Sequence, residues 1–309
     1  MAFTMHSHSG QFCPGHAKDQ LEAIIQHAIS QGYKTIGLTE HMPRYEQSDL
    51  YPEELNEQDL FTTMVTRHEA YLTEASRLQA AYASQIHILI AFEAEFIREA
   101  YADPVRSLFA DPRVDYFIGS VHHVHGIPID YVKKMYLAAV QKSTRQTEES
   151  LWEDYYDLQY KMLTALEPKV VGHFDLIRLM NETPGHDPRT WSKVWDKAVR
   201  NLKVAREQDG WLECNTAALR KGLDEPYPAR PIAEEWIKMG GKFTMSDDSH
   251  GIAQVATNYE RGLAYLESLG VTEVWTLKRK THPGITEGVR GEVEEVAVPL
   301  TAFRERFSA

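Results

Sequence analysis

Three short histidine signatures lie far apart in this chain: His6-Ser7-His8 near its start, Thr39-Glu40-His41 after the first helical stretch, and Asp248-Ser249-His250 near its end. Imidazoles and carboxylates are metal ligands. Residues two apart on an extended segment point the same way, so His6 with His8, and Asp248 with His250, could each offer two ligands to one ion. Between these signatures come Glu93-Ala94-Glu95, the cluster Ser120-Val121-His122-His123-Val124-His125, and Gly172-His173. A glutamate such as Glu93 could bridge two cations, a role closed to histidine. His122 and His123 are adjacent and face opposite ways if the strand persists, so only one of them is expected at the ions. His16 follows Phe12-Cys13-Pro14-Gly15 on a loop that can bend back to the same place. A set rich in histidine with a few carboxylates suits zinc, manganese or iron better than magnesium or calcium. The chemistry implied is metal-assisted hydrolysis.

Such residues can meet only if the elements carrying them end at one place. Apolar, β-rich runs are found at 34–38, 86–92, 116–121, 170–172, 211–214, 242–245 and 271–275. Helical periodicity separates them: Leu21, Ile24, Ile25, Ala28 and Ile29 within Asp19–Gly32, most of Glu53–Ala83, then 149–166, 190–208, 229–239 and 259–268. This alternation predicts an α/β fold of seven or eight βα units around a parallel sheet, a number that favours closure into a barrel. His41, Glu93, His122, His173 and Asp248 each follow a run directly, at the C-terminal strand ends where α/β proteins gather their sites. Alone, each reads as a hydrogen-bonded strand-end residue, and His6-Ser7-His8 as a loose terminus. Together they occupy the ends of six candidate strands, which chance explains poorly. His27, His68, His87, His186 and His282 lack this placement and read as structural or surface residues.

There is no repeat and no low-complexity linker, so one domain over residues 1–309 is expected. The polar segment 44–56 could cover the site, 126–142 reads as an inserted excursion, and the tail from Lys278 is expected to close the barrel's base or wrap its outside. A 43% apolar content suffices for a large core, and a formal charge of −12 argues against a nucleic-acid or anionic-membrane surface. No run reaches the about 18–20 apolar residues needed to span a bilayer. Cys13 and Cys214 are too few for a disulfide framework, and the start of the chain lacks a leader pattern, so a soluble cytoplasmic protein is expected. A nucleophile elbow, a P-loop and a dinucleotide fingerprint are all missing. Arg178, five residues after His173, and Arg220-Lys221, just beyond the run at 211–214, could bind an anionic ester.

The ordered set His6-x-His8, His16, Thr-Glu-His41, Phe-Glu93, Ser-Val-His122, Gly-His173 and Asp248-Ser-His250 resembles the polymerase and histidinol phosphatase superfamily over residues 6–250. Gly172-His-Phe-Asp175-Leu-Ile-Arg178 and Glu213-Cys-Asn-Thr-Ala-Ala-Leu-Arg220-Lys221, with Pro226-Tyr-Pro228, are similar to its histidinol-phosphate phosphatases. The resemblance implies a distorted TIM-like barrel of seven βα units holding three divalent ions, zinc, manganese or iron. His6, His8, Glu93 and Asp248 would surround one ion. Glu93 would be shared with a second, held also by His122 and His173, and His16, His41 and His250 would hold the third. Arg178 and Arg220 would clamp phosphate, with His41 and Asp248 the catalytic residues and His41 or a metal-bound water the proton donor to the leaving oxygen. The expected reaction is hydrolysis of L-histidinol phosphate, a small phosphomonoester, with Glu95, Asp247 or Glu213 facing its positive groups. A nucleotide or single-stranded DNA phosphoesterase is the alternative, disfavoured by charge. An amidohydrolase barrel would want a carboxylated lysine where the fourth strand here ends in histidines. A protein that had lost catalysis would lack ligands.

Overall fold

The computed structural model describes residues 2–56, 60–280 and 291–305. Six of the apolar runs, preceded by the segment Ala2–Thr4, form seven parallel strands, each paired with the next along the chain: β1 (Ala2–Thr4), β2 (Tyr33–His41), β3 (His87–Glu95), β4 (Tyr116–Ser120), β5 (Val170–Val171), β6 (Trp211–Asn215) and β7 (Lys242–Ser246). Strands covered on both faces must be apolar throughout, and β3 is buried at every position after His87. The sheet curls until its edges meet. The Met5 N–H donates to the Met245 carbonyl at 3.1 Å, the His8 N–H donates to Ser249 at 2.8 Å, and Ser7 bridges Ser249 in parallel. The first and last strands thus close through a short seam, giving the distorted seven-stranded barrel expected.

Helices on the outside return the chain between strands. In α1 (Leu21–Ser30) the buried residues Leu21, Ile24, Ile25 and Ala28 form one stripe, and Gly32, at φ +74°, ends the turn. The stretch expected to be helical from Glu53 is a short 3₁₀ turn, Pro52–Asn56, followed by α2 (Leu60–Ala81). The excursion folds as a two-residue hairpin, His123–Val124 against Ile127–Pro128, followed by a helix over Lys133–Lys142. The long helix Glu148–Leu166 begins at Thr147, whose side chain accepts from the Ser150 N–H.

The last run, at 271–275, departs from expectation. It becomes β8 (Glu273–Arg279), which pairs antiparallel with β9 (Val293–Pro299) outside the barrel. The hairpin lies across the strands' N-terminal ends: Trp275 meets Trp211, Lys242 and Lys169 pair with Glu295, and Arg279 pairs with Asp115. The helix Leu300–Arg304 sets Phe303 against Phe3. The described part of the tail therefore closes the base, while His282 lies outside the described residues. Among the described residues no helix is long and apolar enough to cross a membrane.

One close approach ties the interior to the site. The Tyr116 hydroxyl crosses the barrel to donate to the Met5 carbonyl at 2.6 Å, just before His6. It passes so near Gly37 that a Cβ there would stand 2.0 Å from it. Gly37→Ala is expected to destabilise the metal-free protein by about 1–3 kcal/mol through overpacking, read as a lower urea midpoint with an unchanged slope.

Candidate metal centre and its cavity

Beyond Thr4 the chain stays extended, so His6 and His8 lie on either side of the Ser7 bridge and turn into the barrel mouth. There they meet Glu93 from the end of β3. One carboxylate oxygen of Glu93, Oε2, lies 3.2 Å from His6 Nε2, 3.5 Å from His8 Nε2 and 3.1 Å from His41 Nδ1. The other, Oε1, lies 2.9 Å from His173 Nε2 and 3.4 Å from His122 Nε2, and accepts from the Ser120 hydroxyl at 2.6 Å. Asp248 Oδ1 faces His6 and His8 at 3.7 and 3.5 Å. Among the described residues four groups of potential ligand atoms result, three of them built from the expected ligands: His6, His8 and Asp248; Glu93, His122 and His173; and His8, His41 and His250; the fourth is His8 with Cys13 and Glu40.

These donors suit cations. His6 Nε2, both nitrogens of His8 and His173 Nδ1 are buried without a hydrogen-bond partner. Both His41 nitrogens share this state, with the Glu93 and Glu95 oxygens 3.1 Å from Nδ1 but off the hydrogen-bonding directions. So many orphaned buried imidazoles would be costly in a site built for anything else. The His250 Nδ1 lies 3.0 Å from the Asp248 carbonyl, which can only accept, so it carries the hydrogen and leaves Nε2 as the lone pair. His16 stands beside His41 and His250, with ring centroids 5.2 and 4.7 Å away, but it is partly exposed and its Nδ1 faces Glu53 at 3.3 Å. Asp248 itself sits at φ +48°, a left-handed backbone that aspartate tolerates better than most residues.

Several carboxylates have inward duties that residue type alone did not reveal. Glu213 Oε1 accepts from His6 Nδ1 at 2.7 Å while Oε2 accepts from the His173 backbone N–H at 2.9 Å, fixing one ring and the backbone that carries another from one side chain. Glu95 holds His122 Nδ1 at 2.9 Å and Arg44 at 3.3 Å. Asp247 accepts from Tyr33, Thr4 and the Ala256 N–H. All three are buried. The expectation that they face a cationic substrate group is thereby corrected: they are spent inside the ligand framework. Glu40, which the sequence showed only as part of Thr-Glu-His, accepts from the Ser9 N–H and hydroxyl and from the Cys13 thiol, and burial lifts it to about 7. Burial and Glu40 push the Cys13 thiol well up, so it stays protonated although it neighbours His8.

The two arginines also hold backbone. Arg178 Nη2 donates to the Glu225 and Pro226 carbonyls, its Nε lies 2.9 Å from Asp175, and its guanidinium lies over Tyr227. Arg220 donates to the Asp247 and Asp248 carbonyls at 3.0 and 2.8 Å and to Thr257. Neither lines the cavity of about 190 Å³ above the ligands, whereas Lys221 does, with Tyr51, Asp130, Tyr131 and Leu176. His123 is buried against Tyr51, and His125 pairs with Asp154 away from this cavity.

Charge balance within the cluster is carried by protons. Burial alone would lower the His6 and His122 pKa values, but Glu213, Asp248 and Glu93 around His6, and Glu95 and Glu93 around His122, raise both well above 6.5. Burial and the neighbouring His8 push His41 down to about 3, so at neutral pH it offers a lone pair rather than a proton. The buried Glu93, Glu95 and Asp248 are held well below the usual carboxylate range by the surrounding imidazoles, joined at Glu95 by Arg44.

Three ligand clusters at the C-terminal mouth of a βα barrel, all reaching the same glutamate, define a metal-binding hydrolase centre. The chain belongs to the PHP domain family, which matches residues 4–217. It is 42% identical over 282 residues to the "probable histidinol-phosphatase" of Schizosaccharomyces pombe, covering 90% of each chain. It is 32% identical over 292 residues to the histidinol-phosphatase of Saccharomyces cerevisiae, covering 84% of this chain and 87% of the relative. The fold matches the crystal structure of a Lactococcus lactis histidinol phosphate phosphatase complexed with zinc, L-histidinol and phosphate, with a TM-score of 0.67, 18% identity, and 89% and 96% of the two chains covered.

The raised and lowered pKa values set opposite pH limits. His6 and His122 favour the folded metal-free protein fully below about pH 6.5, and that contribution is lost as the pH rises through their raised values. Glu93, Glu95 and Asp248 contribute above their ordinary range near 4 and lose it as the pH falls through their depressed values. Zinc must displace the imidazole protons, so apparent zinc affinity is expected to rise with pH above 6.5, with about two protons released per chain near neutrality. Calorimetry in two buffers of different ionisation enthalpy reads that number, and zero release contradicts the assignment. Glu213→Gln is expected to weaken metal binding by about 10–100-fold, measured by chelator competition.

Proposed function

We propose that this chain is a histidinol-phosphate phosphatase, releasing L-histidinol and inorganic phosphate by metal-dependent hydrolysis. The observation that carries the reading is Glu93, with one oxygen toward His6, His8 and His41 and the other toward His122 and His173. The names of the fungal relatives, matched over most of their length, supply the substrate.

We read the residues as holding three divalent ions, zinc, manganese or iron, distributed as the family resemblance implies: His6, His8, Glu93 and Asp248; Glu93, His122 and His173; and His16, His41 and His250, of which His41 and His250 gather with His8 while His16 stands beside both. Bound there, such ions supply Lewis-acid activation of water and neutralise charge on the phosphoryl oxygens. The protein's own part is orientation and exclusion. His41 and Asp248 stand closest to the chemistry, both lining the cavity into which the phosphoryl group must fit. Lys221 brings a positive charge to the same cavity. From outside that cavity Arg220 fixes the Asp247 and Asp248 backbone and Arg178 the Glu225 and Pro226 carbonyls, so both hold the segments that shape it. The whole chain is read as one catalytic domain, supported by the hairpin β8–β9 that caps the barrel's base.

Purified protein, stripped of metal and reloaded with zinc, manganese or iron in turn, is expected to hydrolyse histidinol phosphate far faster than nucleoside monophosphates or single-stranded DNA. Comparable turnover of all three would overturn the specific reading. Arg220→Ala is expected to lower kcat/KM by roughly 30–100-fold, as for truncating one partner of a buried charged contact, with the far-ultraviolet circular dichroism unchanged.

A further inference from the structure

The ligands make the floor of the cavity, and its wall is made by Tyr51, Asp130, Tyr131, Leu176 and Lys221 with His16. Asp130 stands out among these. It is the carboxylate of the wall that belongs to no ligand cluster, and its Oδ1 is buried without a hydrogen-bond partner. Among the described residues it has no ion-pair partner. Its neighbours are mostly tyrosines: its charge acts on Tyr51, Tyr155 and Tyr227 and on the buried His123, and Tyr51 lies 5.8 Å from Tyr131, ring to ring. The Tyr227 hydroxyl is likewise buried without a partner.

A buried carboxylate oxygen lacking a donor is costly, and such groups persist where a ligand completes them. Aromatic faces around it favour a cation over a neutral donor. The carboxylates that the sequence offered for this duty, Glu95, Asp247 and Glu213, are consumed by the ligand framework, which leaves Asp130 as the wall's available anion. The cavity is therefore polar in a directed sense. Its ligand floor and Lys221 favour the phosphate of an ester, and the Asp130 side favours a positive group on the same molecule.

We infer that Asp130 is the specificity residue of this site, accepting an N–H from the cationic end of the substrate, an ammonium or imidazolium, while the phosphate faces the ligands. The assignment rests on the proposed reading of the cavity as a phosphomonoesterase site, and the two can fail separately.

The test compares wild type, Asp130→Asn and Asp130→Ala in zinc-loaded protein on two ester pairs. Histidinol phosphate is set against p-nitrophenyl phosphate, and O-phosphoethanolamine against glycerol phosphate. For both variants kcat/KM on the cationic esters is expected to fall by roughly 30-fold or more, mainly through KM, as expected for losing one side of a buried charge pair. The neutral esters should change by less than about threefold, and bound zinc, counted by mass spectrometry, should be unchanged. Equal losses on cationic and neutral esters, lost zinc, or full activity on the cationic esters would each overturn the role of Asp130. If wild type turns over O-phosphoethanolamine but not histidinol phosphate, the proposed substrate fails. The variants' loss on O-phosphoethanolamine alone then decides Asp130.

Discussion

Everything at the mouth of this barrel follows from burying Glu93. A carboxylate removed from water is tolerated only when its charge is matched, and here both of its oxygens are surrounded by five imidazoles drawn from four other strand ends. Without cations the match is made by protons on His6 and His122, which is why those two pKa values rise while their carboxylate partners fall. Ligand identity, ring orientation and barrel register are therefore one problem. Moving any strand by one residue would turn its donor away and leave the charge exposed to an apolar interior.

The supporting residues solve that problem by reaching across strands. Glu213 on β6 fixes a ring from the first segment and a backbone N–H after β5, while Asp247 joins Thr4, Tyr33 and Ala256. Arg220 and Arg178 then tie the loops that follow through their carbonyls. Space is controlled as closely as charge. A side chain at Gly37 would meet the Tyr116 hydroxyl, and one at Gly172, just before His173, would stand 2.4 Å from the Ser120 oxygen that serves Glu93.

Much of this was legible in the sequence because strand-end placement is a one-dimensional property. An apolar run followed at once by histidine or glutamate fixes both the strand and the end at which the residue emerges, so His41, Glu93, His122, His173 and Asp248 could be read in order. Direction was not legible. Glu213, Glu95 and Asp247 look like rim carboxylates in sequence, yet on short strands lined by imidazoles they point inward to ring nitrogens, hydroxyls and backbone N–H groups. Arg178 and Arg220 look like exposed anion binders, but loop carbonyls lie within their reach and accept from them. The run at 271–275 has the composition of another barrel strand. Only the closure of β1 against β7, which leaves no free edge, sends it to pair with Val293–Pro299 instead.

That closure is also where metal and fold meet. Between β1 and β7 the sheet is held by few backbone bonds, those of Met5 to Met245 and of His8 to Ser249. The cluster His6, His8 and Asp248 spans this same seam, two ligands from one edge and one from the other. A cation held there links the barrel's edges as well as preparing the site, so binding energy that favours the closed form adds directly to folding stability. In the apo protein those backbone bonds are joined by a proton-mediated contact between His6 and Asp248, which weakens once the pH exceeds the raised His6 value. In this architecture the sparsely bonded seam of the sheet and a group of potential ligands are the same place, and a cation bound there would serve both.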